Sequence, residues 1–127
     1  MKTKYKRPKH LNLLKIRLPI TGIASINHRL SGVILFLAIP LSLYLLQLSL
    51  SSKESFIQTL EYLSSPWVKL LLIPLVWAFV HHLLAGFRFL LIDQEIGIHL
   101  SAARLSAWIV VVAAVVITLV VAVGWWL

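Results

Sequence analysis

The chain has 127 residues, is 60% hydrophobic, and carries only four acidic side chains against twelve Lys and Arg. That length implies one small domain, and that apolar fraction excludes an ordinary soluble fold of this size. The absence of cysteine excludes disulfides, thiolate metal sites and cysteine nucleophiles.

Eight of the twelve basic residues lie in the first 29 positions. A basic arm of this kind can bind nucleic acid, but this one adjoins an apolar span, where it is the segment that sets membrane topology. Within "RPKHLNLLKIRLP" apolar residues alternate with Lys15 and Arg17, and Pro8 and Pro19 argue against one continuous helix. Residues 1–22 are expected to form an arm on the membrane surface or against a partner.

Three segments lack Asp, Glu, Lys and Arg: Leu30–Leu50, Leu70–Phe87 and Leu105–Leu127. Each is long enough, or nearly so, to cross a hydrocarbon core of roughly 30 Å at about 1.5 Å per helical residue. Helices are the expected spanning form because each satisfies its own backbone hydrogen bonds. The expected fold class is therefore all-α: a single membrane-anchor domain over 1–127, with transmembrane helices at about 23–50, 66–92 and 104–127. The first span is too long and begins too late for a cleaved signal peptide. Pro40 and Pro74 are candidate kinks, and Pro66 is a favoured first-turn residue. The serine-rich stretches "SSKES" and "SSP" read as turns or caps in a Ser51–Pro66 loop. Lys53 and Lys69 flank one loop and Arg88 and Arg104 the other, so the arm decides orientation, with the N-terminus and the Asp93–Arg104 loop cytoplasmic. Trp67, Trp125 and Trp126 then fall in the outer aromatic belt and Trp108 near the inner one.

Two groups of polar residues at or inside the spans call for an explanation. The first is "SINHRLSG", Ser25 to Gly32. Ser25 and Arg29 are four apart and share a helix face, with His28 beside them. One reading is an interfacial arginine reaching lipid phosphates, with a capping serine. The other is a site for a polar head group with an apolar tail. A quinone fits it, with Ser25 donating to a carbonyl oxygen and Arg29 stabilising the negative charge that develops on reduction.

The second group is "HHLLAGFRFLLID", His81 to Asp93. Residues His82, Gly86, Phe89 and Asp93 fall along one stripe, and His81 points about 100° away from it. Gly86, one turn from His82, leaves room for a flat group or a neighbouring helix. A histidine so placed suits an axial haem ligand; a histidine hydrogen-bonded across helices is the plainer alternative. Arg88 can mark the helix end with Asp93 or reach a buried anion such as a haem propionate. His28 sits at the cytoplasmic end of the first helix, and His82 lies eleven residues from Asp93, roughly 16 Å deeper. On that depth difference one iron cannot take both, so a second axial ligand either comes from another chain or is absent.

The pattern "RPKHLNLLKIRLPITGIASINHRLSG" followed by "HLLAGFRFLLID" resembles the cytochrome b membrane-anchor subunit of succinate dehydrogenase, respiratory complex II, in its bacterial, ubiquinone-using form. The resemblance covers essentially the whole chain. It implies a subunit of a succinate:quinone oxidoreductase that is not catalytic alone and sits in the bacterial inner membrane. It implies haem b, with His82 as the axial iron ligand and His28 and Arg29 at the propionates. It places Ser25 and Arg29 at the quinone site and Leu18 and Ile26 near the quinone ring. The implied partners are a second anchor subunit, an iron–sulfur subunit and a flavoprotein; no nucleic acid is expected. Two positions depart from the pattern: Phe89 stands where a histidine is common, and His81 where an aromatic or apolar residue is common. A fumarate reductase anchor and a cofactor-free structural anchor are the alternatives.

Overall fold

A computed structural model describes residues 17–127. Four helices account for nearly all of them: α1 (Ile20–Ser51), α2 (Lys53–Ser64), α3 (Pro66–Asp93) and α4 (Leu100–Gly124). The described residues contain no strand. Helices α1, α3 and α4 are long and apolar enough to cross a membrane.

Helix α1 starts directly after Pro19, earlier than the expected residue 23. Pro19 is extended (φ −66°, ψ 155°), and its carbonyl accepts from the amides of Gly22 and Ile23 at 2.9 and 3.1 Å. A proline has no amide to offer a preceding turn, so the helix begins just beyond it. The expected arm shrinks accordingly, and its residues 1–16 lie outside the described residues. Pro40 lies inside α1 and Pro74 inside α3.

The expected Ser51–Pro66 loop is instead the helix α2, a correction with a clear physical basis. Phe56, Ile57, Leu60 and Leu63 recur at helical spacing, opposite Glu54, Gln58 and Glu61. That is an amphipathic pattern able to lie along an interface. The serines read as turn formers are its caps. Ser52, fully extended between α1 and α2, accepts the Ser55 amide at 3.1 Å, an N-cap bond. Ser65 alone separates α2 from α3, whose first residue is Pro66.

After Asp93 the chain reverses through a paired hydrogen-bond closure: Ile96 N to Leu91 O and Glu95 N to Ile92 O, both 2.9 Å. This is the Schellman arrangement, which needs a left-handed residue at the position of Glu95 (φ 61°). Helix α4 then begins at Leu100, four residues before the expected start.

Helix α1 packs on α3, α3 on α4, and α1 also touches α4, while α2 lies across α1 and α3. Small residues line the contacts: Ala24 and Ser31 on α1, Ala78 and Ala85 on α3, Ala107 and Ala114 on α4 are all fully buried. Small side chains let backbones approach where lipid gives no hydrophobic incentive to associate. The large apolar side chains point outward, Phe36 being 70% exposed and Phe79 59%. At the α2 end of the bundle, Lys69 Nζ donates to the Trp125 carbonyl at 2.8 Å and lies over the Trp126 ring at 5.7 Å, tying the chain's last residues to α3.

Candidate functional site

The polar stretches of α1 and α3 meet. His28 and His82 stack face to face, ring centroids 4.2 Å apart and planes within 9°. The expected depth difference between them is therefore wrong. His28 lies eight residues into α1 and His82 eleven residues before the end of α3. Both helices extend well past the pair at the same end, so the two rings share one level. One iron is still poorly served by both rings in this arrangement, because axial imidazoles approach end-on from opposite sides, not face to face.

Hydrogen bonds place a proton on Nδ1 of His82. Its Nδ1 lies 3.1 Å from the His28 carbonyl oxygen and 3.2 Å from Ser31 Oγ. A carbonyl only accepts, so Nδ1 carries the proton and donates. Ser31 Oγ in turn donates to the same carbonyl at 2.8 Å, leaving its lone pairs to face Nδ1–H. In the neutral ring the remaining nitrogen, Nε2, is then the unprotonated one. A ring N–H held by a carbonyl, with the opposite nitrogen bare, is the arrangement that prepares a histidine for a metal.

Two glycines face the ring pair. A methyl group on Gly32 would stand 3.0 Å from His82 Cε1, tighter than an ordinary contact, so a side chain at position 32 would push His82 back from α1 by a few tenths of an ångström. A methyl group on Gly86 would meet His28 Nε2 at 3.7 Å. Phe89 closes the other side of His28, edge to face at 5.2 Å.

His82 also lines a groove of about 800 Å³ between α1 and α3, with Gly32, Leu35, Ile39, Val76 and Phe79. Apart from His82, Ser42 supplies the only polar side chain in its wall. The donor set, the bare Nε2, the glycine clearance and the apolar groove together fit a flat, largely apolar group that carries a metal. No cluster of three or more His, Asp or Glu able to hold a bare metal ion occurs among the described residues.

The other candidates are distributed as follows. Ser25 is half-buried and Arg29 exposed, on the turns of α1 flanking His28. Ile26 is 44% exposed, and Leu18 is half-buried just ahead of the helix. Arg88 turns away from His82. Its Nε donates to Ser106 Oγ at 2.9 Å and an Nη to the Ala103 carbonyl at 3.0 Å, both on α4. The guanidinium considered for a propionate is thus engaged with α4. Asp93 is the last residue of α3. His81 shares Arg88's stripe with Ala78 and Ala85; it is fully buried, neither ring nitrogen has a partner among the described residues, and it tilts against Trp77 at 5.4 Å.

Ser31 and Gly32 were not among the residues expected at the site. Their signal was present: in "HRLSG" they lie three and four residues after His28, on its face. The small-residue argument applied to Gly86 applies equally to Gly32.

Comparison with known proteins agrees with this architecture. Residues 3–121 match the profile of the succinate dehydrogenase/fumarate reductase transmembrane subunit. The chain belongs to that family. Among its relatives is the succinate dehydrogenase cytochrome b556 subunit of Coxiella burnetii, 37% identical over 95% of this chain and 98% of the relative. The same-named subunits of Rickettsia felis and Paracoccus denitrificans are 31% and 30% identical, over 90% and 87% of this chain and 89% and 85% of theirs. The match takes in α1 and α3 whole and all but the last turn of α4.

Proposed function

We propose that this chain is the cytochrome b anchor of a bacterial succinate dehydrogenase, binding haem b together with a second anchor subunit and forming part of the ubiquinone reduction site. The observation that carries the haem reading is His82: its Nδ1–H is held by the His28 carbonyl and Ser31, and its ring borders an apolar groove. His82 would hold the iron, with His28 and Arg29 nearby for the propionates, and the other axial ligand would come from the second anchor subunit. Haem so bound supplies a one-electron store beside the path to quinone.

The quinone site is assigned to Ser25 and Arg29, with Leu18 and Ile26 against the ring. Two electrons delivered by an iron–sulfur partner and two protons convert ubiquinone to ubiquinol. The Ser25 hydroxyl donates to a quinone carbonyl oxygen and so orients the ring. The Arg29 cation lowers the energy of negative charge building on the quinone oxygens. A flavoprotein partner, carrying the succinate chemistry, completes the assembly. The basic arm orients the chain with its N-terminus in the cytoplasm of an inner membrane, which puts the Ser25–Arg29 turns on the side of the soluble partners.

Arg29→Ala in the purified complex is expected to lower quinone reductase activity while succinate oxidation by artificial acceptors survives. Equal loss of both with the complex assembled would refute the quinone assignment. His82→Leu is expected to abolish or strongly alter the b-type band in reduced-minus-oxidised spectra, and His81→Leu to change it less; the reverse order would refute the ligand assignment. A fumarate reductase anchor is a second reading, favoured only by the family's description, which covers both enzymes. The potentials of the partner clusters and quinone pool set that direction.

A further inference from the structure

We propose that Ser31 is a positioning residue for the haem ligand, tuning His82 through a hydrogen bond to the nitrogen remote from the iron. The inference rests on the haem reading of His82 and goes one step beyond it, to a side chain that touches neither quinone nor iron.

Three observations support it. Ser31 is a fully buried polar residue on α1, in a bundle whose other α1 contact residue of that burial is Ala24. A buried hydroxyl among apolar helices is costly unless satisfied. Its satisfaction is specific: it donates to the His28 carbonyl at 2.8 Å and presents its lone pairs to His82 Nδ1 at 3.2 Å. The neighbouring Gly32 has no side chain at the point where one would stand 3.0 Å from His82 Cε1. Ser31 and Gly32 thus act together: the glycine lets the imidazole reach α1, and the serine with the His28 carbonyl holds it there by the Nδ1–H.

The chemical consequence follows from the direction of the bond. An acceptor on Nδ1–H draws the ring toward imidazolate character, making Nε2 a stronger donor to iron. A stronger donor favours the oxidised iron and lowers the haem potential. Two acceptors also fix the plane of the ring, which a single acceptor leaves free to rock about one bond.

The test uses the purified complex with all subunits present. Ser31→Ala keeps the His28 carbonyl and removes the second acceptor. The expected result is full haem content, an upward shift of the haem midpoint potential in a potentiometric titration, and altered low-spin haem g-values in EPR. Ser31→Thr keeps the hydroxyl and is expected to restore the wild-type potential. Should Ser31→Ala fail to assemble, Ser31→Cys, similar in size and a weak acceptor, is expected to give the same upward shift. An assembled Ser31→Ala or Ser31→Cys complex with unchanged or lowered potential and unchanged g-values overturns the proposal while leaving the haem reading intact. A His82→Leu complex that keeps the wild-type haem spectrum overturns both. A purely structural role for Ser31 would change yield or melting temperature without moving potential or g-values, and that outcome also overturns it.

Discussion

Arg88 offers the sharpest quantitative test, because two jobs for it make opposite predictions. It is 6% exposed and spends two donors on α4, to Ser106 Oγ at 2.9 Å and to the Ala103 carbonyl at 3.0 Å. Bonds from a charged donor contribute about 1.5–3 kcal/mol in soluble proteins. Inside membranes interhelical hydrogen bonds average about 0.6 and reach about 1.7 kcal/mol, since the separated helices also find partners. Taking the membrane scale, Arg88→Met should destabilise the α3–α4 pair by about 1–3 kcal/mol. Ser106→Ala removes one of the two bonds and should cost about 0.6–1.7 kcal/mol on the same scale. The double variant should cost less than the sum of the two single changes by about 0.6–1.7 kcal/mol, because both changes delete the one shared bond. The assay is the melting midpoint of the purified complex, with haem content read from the same samples. If Arg88→Met leaves the midpoint unchanged and instead strips haem or shifts its spectrum, the guanidinium serves a propionate and the bracket to α4 is not its role. Zero coupling with Ser106→Ala would refute the bracket as well.

Gly86→Ala should be tolerated, since its methyl group meets His28 Nε2 at an ordinary 3.7 Å, whereas Gly86→Leu should part His28 from α3 and reduce haem content; equal haem in both variants would refute the close approach. Glu95→Gly should raise stability, because Glu95 holds φ 61°. Relief of about 1–2 kcal/mol of left-handed strain is partly offset by about 0.5–1 kcal/mol of glycine entropy, and a lowered melting midpoint would contradict this. Lys69→Met should free the last residues by removing the bond to the Trp125 carbonyl and the cation over Trp126; faster amide exchange at residues 125–127 checks it, and unchanged exchange counts against the latch.

The spans were legible because hydrocarbon allows few alternatives: a run of apolar residues of that length in lipid must be helical. The faces of α3 were legible as well. Angular separation on a helix is a property of spacing alone, so His81 and His82 diverge in the structure as the 3.6-residue repeat requires. Helix α2 was less legible because serine serves equally as a turn former and as a helix cap, and only the apolar spacing between the serines separates the two. Ser52 and Ser65 do leave the helical conformation; what lies between them is a helix of 12 residues with an amphipathic repeat.

The depth of His28 shows where spacing stops being sufficient. Position along one helix follows from residue count, but the offset between two helices does not. It depends on where each begins relative to its neighbour, and here α1 starts at Ile20, directly behind Pro19, and α3 runs on to Asp93. The count from each end then cancels, and two rings expected to lie roughly 16 Å apart stack at 4.2 Å. The offset is set by contacts that residue count does not express: Gly32 admits His82, Gly86 faces His28, and Ser31 closes the hydrogen bonds between them. Those three small residues fix the register of α1 against α3. A change at Ser31 or Gly32, or a bulky side chain at Gly86, should therefore act on the histidine pair before it acts on the stability of either helix.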